Sequence, residues 1–221
     1  MRFEWDQLIR YGPDLLQAFG VTIWISAVSL VIGIVIGMFA CLGKLQQRGL
    51  AFRLSNGFID FFRTIPEVVL IFWVYSCLPL LLSIRISSEA CVIIALSLFS
   101  AAYLAEIFRA GVLAVPKGQV DAAYALAIPR FHIWRKIIIP PAIRRMMPAF
   151  VNFLTELLKA TSLLSAIAVG EMAYTASILG AQTLSYFEFL SAIAVLYFIL
   201  IFPFSLLARR SEKKLLEKTG H

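Results

Sequence analysis

Long apolar stretches alternate with short polar ones along this chain, and the alternation predicts helices that cross a membrane. Residues 1–18 mix polar and aromatic positions and read as a short amphipathic opening segment, with Trp5 and Tyr11 suited to a membrane–water interface. Apolar runs long enough to span follow at about 19–43, 56–82, 90–108, 141–160 and 186–208. Thr22 and Ser26 inside the first run are tolerated, because a helix satisfies its own backbone in lipid. Gly33-Ile-Val-Ile-Gly37 allows close helix packing, though so common a spacing carries no claim about dimers. The fourth run holds Pro148, which is expected to break it. Residues 161–182 contain Glu171 and Gly180 and fall short of a clean span. The pattern predicts an all-α integral membrane protein with five transmembrane helices in a single domain, 1–221.

The least apolar long interval is 121–140, within a connection covering 116–140. A short helix is expected to begin near Gln119, placing Asp121 in its first turn, where a carboxylate suits the positive end of the helix dipole. Ala122, Ala123 and Leu126 then share a face, and Pro129 and Pro140 interrupt helical continuity. Small residues on an exposed helical knob let another backbone approach closely. An ordinary amphipathic linker lying on the membrane surface gives the same pattern.

Charge decides the orientation. The chain is 61% hydrophobic and 15% charged, a membrane composition, yet carries a net +7. Lys44, Arg48, Arg53 and Arg63 lie between the first two spans. Arg109, Lys117, Arg130, Arg135, Lys136, Arg144 and Arg145 lie between the third and fourth, and Arg209, Arg210, Lys213, Lys214 and Lys218 close the chain. With five spans these sixteen fall on one side, against Arg2, Arg10 and Arg85 on the other and Lys159 at the far end of the fourth helix. That predicts an external N-terminus and a cytoplasmic C-terminus. A sixth span over 161–182 breaks the pattern. The positive charge is therefore a topology signal, and nucleic acid is not implied as a partner.

Cys41, Cys77 and Cys91 are odd in number, lack CxxC spacing and read as packing residues. His132 and His221 have no metal partners nearby, so no metal site is expected. The first 18 residues lack the basic start and small-residue cleavage site of a signal peptide. A phosphate-binding loop is also missing: between Gly37 and Gly43-Lys44 stand five residues instead of four, Leu45 follows the lysine, and the stretch is apolar. No ATP hydrolysis by this chain is expected.

Motifs add a resemblance. Asp121-Ala122-Ala123, Ala127, Ile137 and Ile139-Pro140 resemble the EAA loop of ATP-binding-cassette importer permeases, E-A-A, three residues, G, nine residues, I-x-L-P. The departures are Glu to Asp, Gly to Ala and Leu to Ile, and Ala127 resists backbone angles that Gly adopts. Further matches are to the branch serving polar amino acids, the histidine/glutamine/glutamate type. Gly20-Val-Thr22-Ile is similar to its G-x-T-L, and Phe62-Arg63-Thr64-Ile65-Pro66 to F-R-G-T-P. Ala101-Ala102-Tyr103-Leu104-Ala105-Glu106-Ile107-Phe108-Arg109-Ala110-Gly111 is similar to A-A-Y-x-A-E-I-x-R-G-G. Val115-Pro116-Lys117-Gly118-Gln119 resembles V-P-x-G-Q, and Lys159-Ala160-Thr161-Ser162-Leu163 resembles K-x-T-S-L. Pro141 stands where the family usually has Gln. The matches run in order from residue 20 to 163.

The resemblance implies a type I importer permease fold in a bacterial cytoplasmic (inner) membrane. It implies two permease subunits, identical or sister, a dimer of cytoplasmic ATPases that binds the ATP, and an external binding protein, periplasmic or surface-anchored. Asp121, Ala122, Ala123, Leu126 and Ala127 then form the coupling helix that seats in the ATPase. This chain itself needs no cofactor.

Ionisable side chains inside spans default to functional hypotheses. Glu156 leads, because a mid-helix carboxylate suits the ammonium group of an amino acid; pairing with Lys159 three residues on is the structural alternative. Thr155, Thr161 and Ser162 offer hydroxyls to a polar substrate or to their own backbone. Glu106 reads as an interhelical strut, with Arg63 and Glu67 as others. Two further classes remain open. A membrane anchor for a cytoplasmic complex accounts for the exposed loop but not for the polar positions on the fourth helix. An intramembrane enzyme using Glu106, Glu156 and Glu171 lacks convergent metal ligands or a nucleophile. The substrate stays open too, since Phe62 to Glu67 and the first eight residues resemble members serving acidic amino acids whereas Glu156 suits a cationic one.

Overall fold

The computed structural model describes residues 3–219, and the side chains of Lys214 and of residues 216–219 fall outside the described set. Arg2, His221 and the side chains of Lys214 and Lys218, used above for topology or metal chemistry, therefore lie outside it. Among the described residues the chain is helical, without strands.

Helix α1, Trp5–Leu45, absorbs both the amphipathic opening and the first apolar run into one rod, with Pro13 near its start. Where one span was expected over 56–82, two helices stand at 105° to each other, α2 (Gly49–Thr64) and α3 (Glu67–Leu82). Pro66 causes the break. Its ring drives Ile65 into an extended conformation (φ −76°, ψ 131°), and it donates no hydrogen bond back into α2. Helix α4, Ser88–Leu113, starts at the Ser87 hydroxyl, which accepts from the Ala90 N–H at 3.3 Å.

The short α5, Lys117–Ala125, follows, then one helical turn, α6 (Arg130–His132), and a π-helical stretch, Ile133–Ile138, that runs into α7 (Ile139–Ala160). Pro140 and Pro141 explain the wide turns. The carbonyls of Lys136 and Ile137 would take the N–H groups those two prolines lack, and the Ile139 N–H bonds instead to the Trp134 carbonyl, five residues back. Pro140 thus widens the helix rather than interrupting it, and α7 continues through Pro148, contrary to the expected break. A 3₁₀ segment, Thr161–Ile167, and a left-handed Ala168 end this long element.

Helix α8, Met172–Thr183, is capped by Glu171, and α9, Tyr186–Thr219, completes the chain. At about 1.5 Å per residue α9 exceeds a bilayer core of about 30 Å, so its basic end projects beyond it. Among the described residues, four helical segments are long and apolar enough to cross a membrane, or five if the bent α2–α3 pair is one crossing.

The bundle is organised on α1 and α4. A Cβ on Gly33 would stand 2.5 Å from the Ser100 Cβ, and one on Gly37 2.8 Å from the Ala101 carbonyl oxygen. Gly33 and Gly37 therefore serve packing inside this chain. Ala101, Ala102, Leu104 and Ala105 are fully buried there. The main core joins Ile25 of α1, Leu70 and Val74 of α3, Leu96 and Phe99 of α4, and Phe153 and Leu157 of α7. A second core joins Leu15 and Ala18 to α8 and α9 through Met172, Ala176 and Phe189. Cys41 and Cys91 are buried and Cys77 half-buried, all free thiols.

Candidate functional site

The loop helix α5 is built to a specific end. Pro116 precedes its first turn, and the Ile128 and Ala127 N–H groups return to the carbonyls of Ala123 and Tyr124 at 3.1 and 3.0 Å. That pair of bonds is a Schellman motif, with Ala127 in the left-handed position (φ 52°). The fourth position after Ala123 thus demands positive φ, and this chain places a Cβ there. The left-handed region costs a non-glycine residue about 1–2 kcal/mol, more than the roughly 0.5–1 kcal/mol of backbone freedom that Gly forfeits on folding. Ala127→Gly is accordingly expected to stabilise the protein by roughly 0.5–1 kcal/mol, read as a higher melting temperature of the purified chain. An unchanged or lower melting temperature would show that the bend is not strained.

The five residues expected to couple to the ATPase divide, and so do Ala122, Ala123 and Leu126, expected on one face. Ala123 is 3% exposed and packs on Val115, Ile133, Ile138 and Ala142, so it seats the helix on its own subunit and faces no partner. Asp121, Ala122 and Ala127 are exposed, and Leu126, at 76%, projects with Tyr124 at the end of α5. Because α5 starts at Lys117, Asp121 falls in the second turn, not the first, and the dipole argument for it lapses. Among the described residues Asp121 forms no ion pair.

On α7 and the 3₁₀ segment after it, the four expected substrate residues also divide. Thr155 and Thr161 are buried, and their hydroxyls donate to the carbonyls of Asn152 and Leu158, both at 2.7 Å. Ser162 is partly exposed and donates to the Lys159 carbonyl at 2.8 Å. Glu156 is exposed, and its Oε1 pairs with Lys159 Nζ at 3.2 Å. Asn152, Glu156 and Lys159, spaced four and three apart, make one stripe. Over 151–160 these three alone are exposed, while Val151, Phe153, Leu157 and Leu158 face the core. Helix α9 shows the inverse, exposing Val195, Phe198, Ile199 and Phe202. A lipid-facing helix looks like α9. The C-terminal half of α7, uncovered only where it is polar, does not.

Glu171, named above only as an enzyme candidate, is fully buried and structural. Its carboxylate accepts from the Ala173 and Tyr174 N–H groups at 2.9 and 2.7 Å and from the Tyr197 hydroxyl at 3.1 Å. Burial pushes its carboxyl above the ordinary carboxylate range, against those three donors. Thr22, from the first motif, accepts from the Met172 N–H at 3.4 Å beside it. Glu106 joins Arg109 on its own helix and Lys44 of α1, a partner the sequence pattern had assigned only to topology. Arg63 makes no ion pair among the described residues and lies over the Tyr103 ring, 5.3 Å from its centroid.

Comparison with known proteins places this geometry. Residues 17–217 match a family described as the binding-protein-dependent transport system inner membrane component. A probable amino-acid permease protein, YxeN, of Bacillus subtilis is 35% identical over 206 residues, 92% of each chain. The arginine transport system permease protein ArtQ of the same organism is 32% identical, covering 97% of this chain and 98% of its own. The glutamine transport system permease protein GlnP of Escherichia coli is 32% identical, covering 97% and 99%. Among solved structures, an amino acid ABC transporter crystallised with histidines superposes with a TM-score of 0.87 at 28% identity, over 97% of this chain and all of that one. The methionine transporter MetNI in an inward-facing form shares the fold, with a TM-score of 0.71 at 21% identity over 89% and 95%.

Proposed function

The chain belongs to the family of binding-protein-dependent transport system inner membrane components, and from that premise we propose which of its surfaces do the work. It is a multi-pass permease subunit of an amino-acid ABC importer, and ATP hydrolysis belongs to a separate subunit. In this reading α2 and α3 make one broken crossing, giving five, with the N-terminus outside and the C-terminus in the cytoplasm. Helix α5 then lies on the cytoplasmic side.

The polar stripe on α7 carries the assignment of a pathway. Two charges more than half exposed on a spanning segment are costly against hydrocarbon. Asn152, Glu156 and Lys159 therefore face water or protein, and in a pair of permease subunits that space is the route of the substrate. Glu156 exchanges its contact with Lys159 for the ammonium group of an amino acid, and Ser162 lies one turn further on. Thr155 and Thr161 hold the helix around them. At the other end Leu126 and Tyr124, with Asp121 and Ala122 beside them, enter the ATPase groove, and Ala123 and Ala127 set the angle of the knob. An external binding protein delivers the amino acid.

Glu156→Gln keeps the shape and removes the charge. In proteoliposomes holding the permease with its ATPase and binding protein, it is expected to weaken uptake of a cationic or zwitterionic amino acid about 10-fold, the size of losing one charged contact. Competition among unlabelled amino acids should shift as well. If uptake and competition stay at wild-type values, Glu156 is only the structural partner of Lys159.

A further inference from the structure

Three helices meet around a single ammonium group. Lys44 stands in the last turn of α1, with Nζ 2.8 Å from Glu106 Oε1 on α4 and 3.9 Å from Asp60 Oδ1 on α2. The two contacts differ in kind. The side chains of Lys44 and Glu106 are shielded, at 14% and 16% exposure, whereas Asp60 is 60% exposed and also accepts from Asn56 Nδ2 at 2.6 Å. Glu106 is gripped again by Arg109, whose Nε and Nη2 donate to Oε2 at 3.1 and 2.7 Å.

Each contact leads somewhere. Two residues beyond Arg109, Gly111 brings α4 against α7, where an added Cβ would stand 3.0 Å from the Ala142 carbonyl oxygen, and the chain then enters α5. Asp60 leads the opposite way. Its carbonyl accepts from the Thr64 hydroxyl at 2.7 Å, in the last turn of α2, where the chain bends by 105° into α3. Ile59 packs on Ala40, Cys41 and Ala105, an apolar contact that permits sliding. The Lys44–Asp60 contact, at 3.9 Å a charge pairing beyond hydrogen-bond distance, is the polar tie of α2 to α1 beside that surface. As an exposed ion pair it adds little to stability.

We propose that Lys44 is a positioning residue of the transport cycle, passing movement of the α4 end, driven through α5, to the α2–α3 elbow. The shielded contact with Glu106 makes α1 and α4 one body, and the long contact with Asp60 is the tie that the cycle makes and breaks. This role rests on the reading of α5 as the coupling helix.

Lys44→Met is the informative variant, because Glu106 keeps its three bonds from Arg109 and is not left uncompensated. The readout is amino acid imported per ATP hydrolysed, in proteoliposomes holding the full complex with its binding protein. Lys44→Met should assemble with an unchanged melting temperature, continue to hydrolyse ATP and lose roughly 10-fold in that ratio, within the range of ordinary coupling energies. Lys44→Arg should restore most of it. Asp60→Asn removes only the exposed arm and should cost several-fold, which keeps the role testable if Lys44→Met fails to assemble. A wild-type ratio in both Lys44→Met and Asp60→Asn, or in Asp60→Asn where the other does not assemble, overturns the role. A wild-type complex that hydrolyses ATP and imports no amino acid fails the functional reading itself, and the role of Lys44 with it.

Discussion

Gly37→Val should leave almost no assembled complex. A Cβ at that position would stand 2.8 Å from the Ala101 carbonyl oxygen, 3.2 Å from the Ala105 nitrogen and 3.2 Å from the Leu104 Cβ. Two of those three neighbours are backbone, so no rotamer change relieves the clash, and α1 must part from α4. Overpacking a close-packed core costs about 1–3 kcal/mol, occasionally more, and a β-branched side chain against backbone belongs at the upper end. The loss would be read as a lower melting temperature and reduced recovery of monodisperse protein. Gly20→Ala is the control, since nothing lies within 4 Å of a Cβ there. Equal behaviour of the two variants would show that α1 and α4 do not pack as described.

Leu126→Asp should separate the permease from its ATPase without harming the fold. Leu126 is 76% exposed at the tip of α5 and supports nothing inside the subunit, whereas its neighbour Ala123 is buried beneath the helix. A projecting apolar side chain that fills a pocket on a partner is the usual form of a binding hot spot, with about 2 kcal/mol or more lost on truncation, or roughly 30-fold in affinity. An aspartate adds desolvation of a charge to that loss. The expected result is a permease of normal melting temperature that no longer retains the ATPase during purification. Ala123→Leu should fail differently, by unseating α5 and lowering the melting temperature.

The crossing helices were legible because hydropathy alone specifies them, and the α5 region because its motif spacing encodes backbone geometry. Ala127 stands four positions after Ala123, the left-handed place of the Schellman motif that the Ile128 N–H closes on the Ala123 carbonyl, and φ of 52° is what that place requires. The elbow was less visible. Apolar residues continue through 56–82, and that continuity masked Pro66, although a proline after Arg63-Thr64-Ile65 is sufficient reason for α2 to end. Pro148 misled in the other sense, since α7 passes through it without a break. Hydrophobic pattern gives the length of a crossing but not its bends.

Side-chain partnerships were the least legible. Glu106 was recognisable as a strut, but Lys44, 62 positions away, is its partner only because Gly33 and Gly37 let α1 lie against α4. Thr155 and Thr161 stand within five positions of Glu156, yet helical rotation turns their hydroxyls inward and the carboxylate outward. The i, i+4, i+7 spacing of Asn152, Glu156 and Lys159 is present in the sequence, although only its Glu156–Lys159 pair stands out there. That the stripe is uncovered could come only from knowing which face of α7 meets the core.

ATP-driven uptake of radiolabelled amino acid is the decisive experiment, in proteoliposomes carrying this permease with its ATPase, ATP inside and binding protein outside. The wild type and Leu126→Asp would be run side by side. Accumulation by the wild type that needs both ATP and binding protein, and falls to background in Leu126→Asp, is the expected result. A wild type that accumulates no amino acid while hydrolysing ATP would contradict an importer, and equal accumulation by Leu126→Asp would contradict coupling through α5.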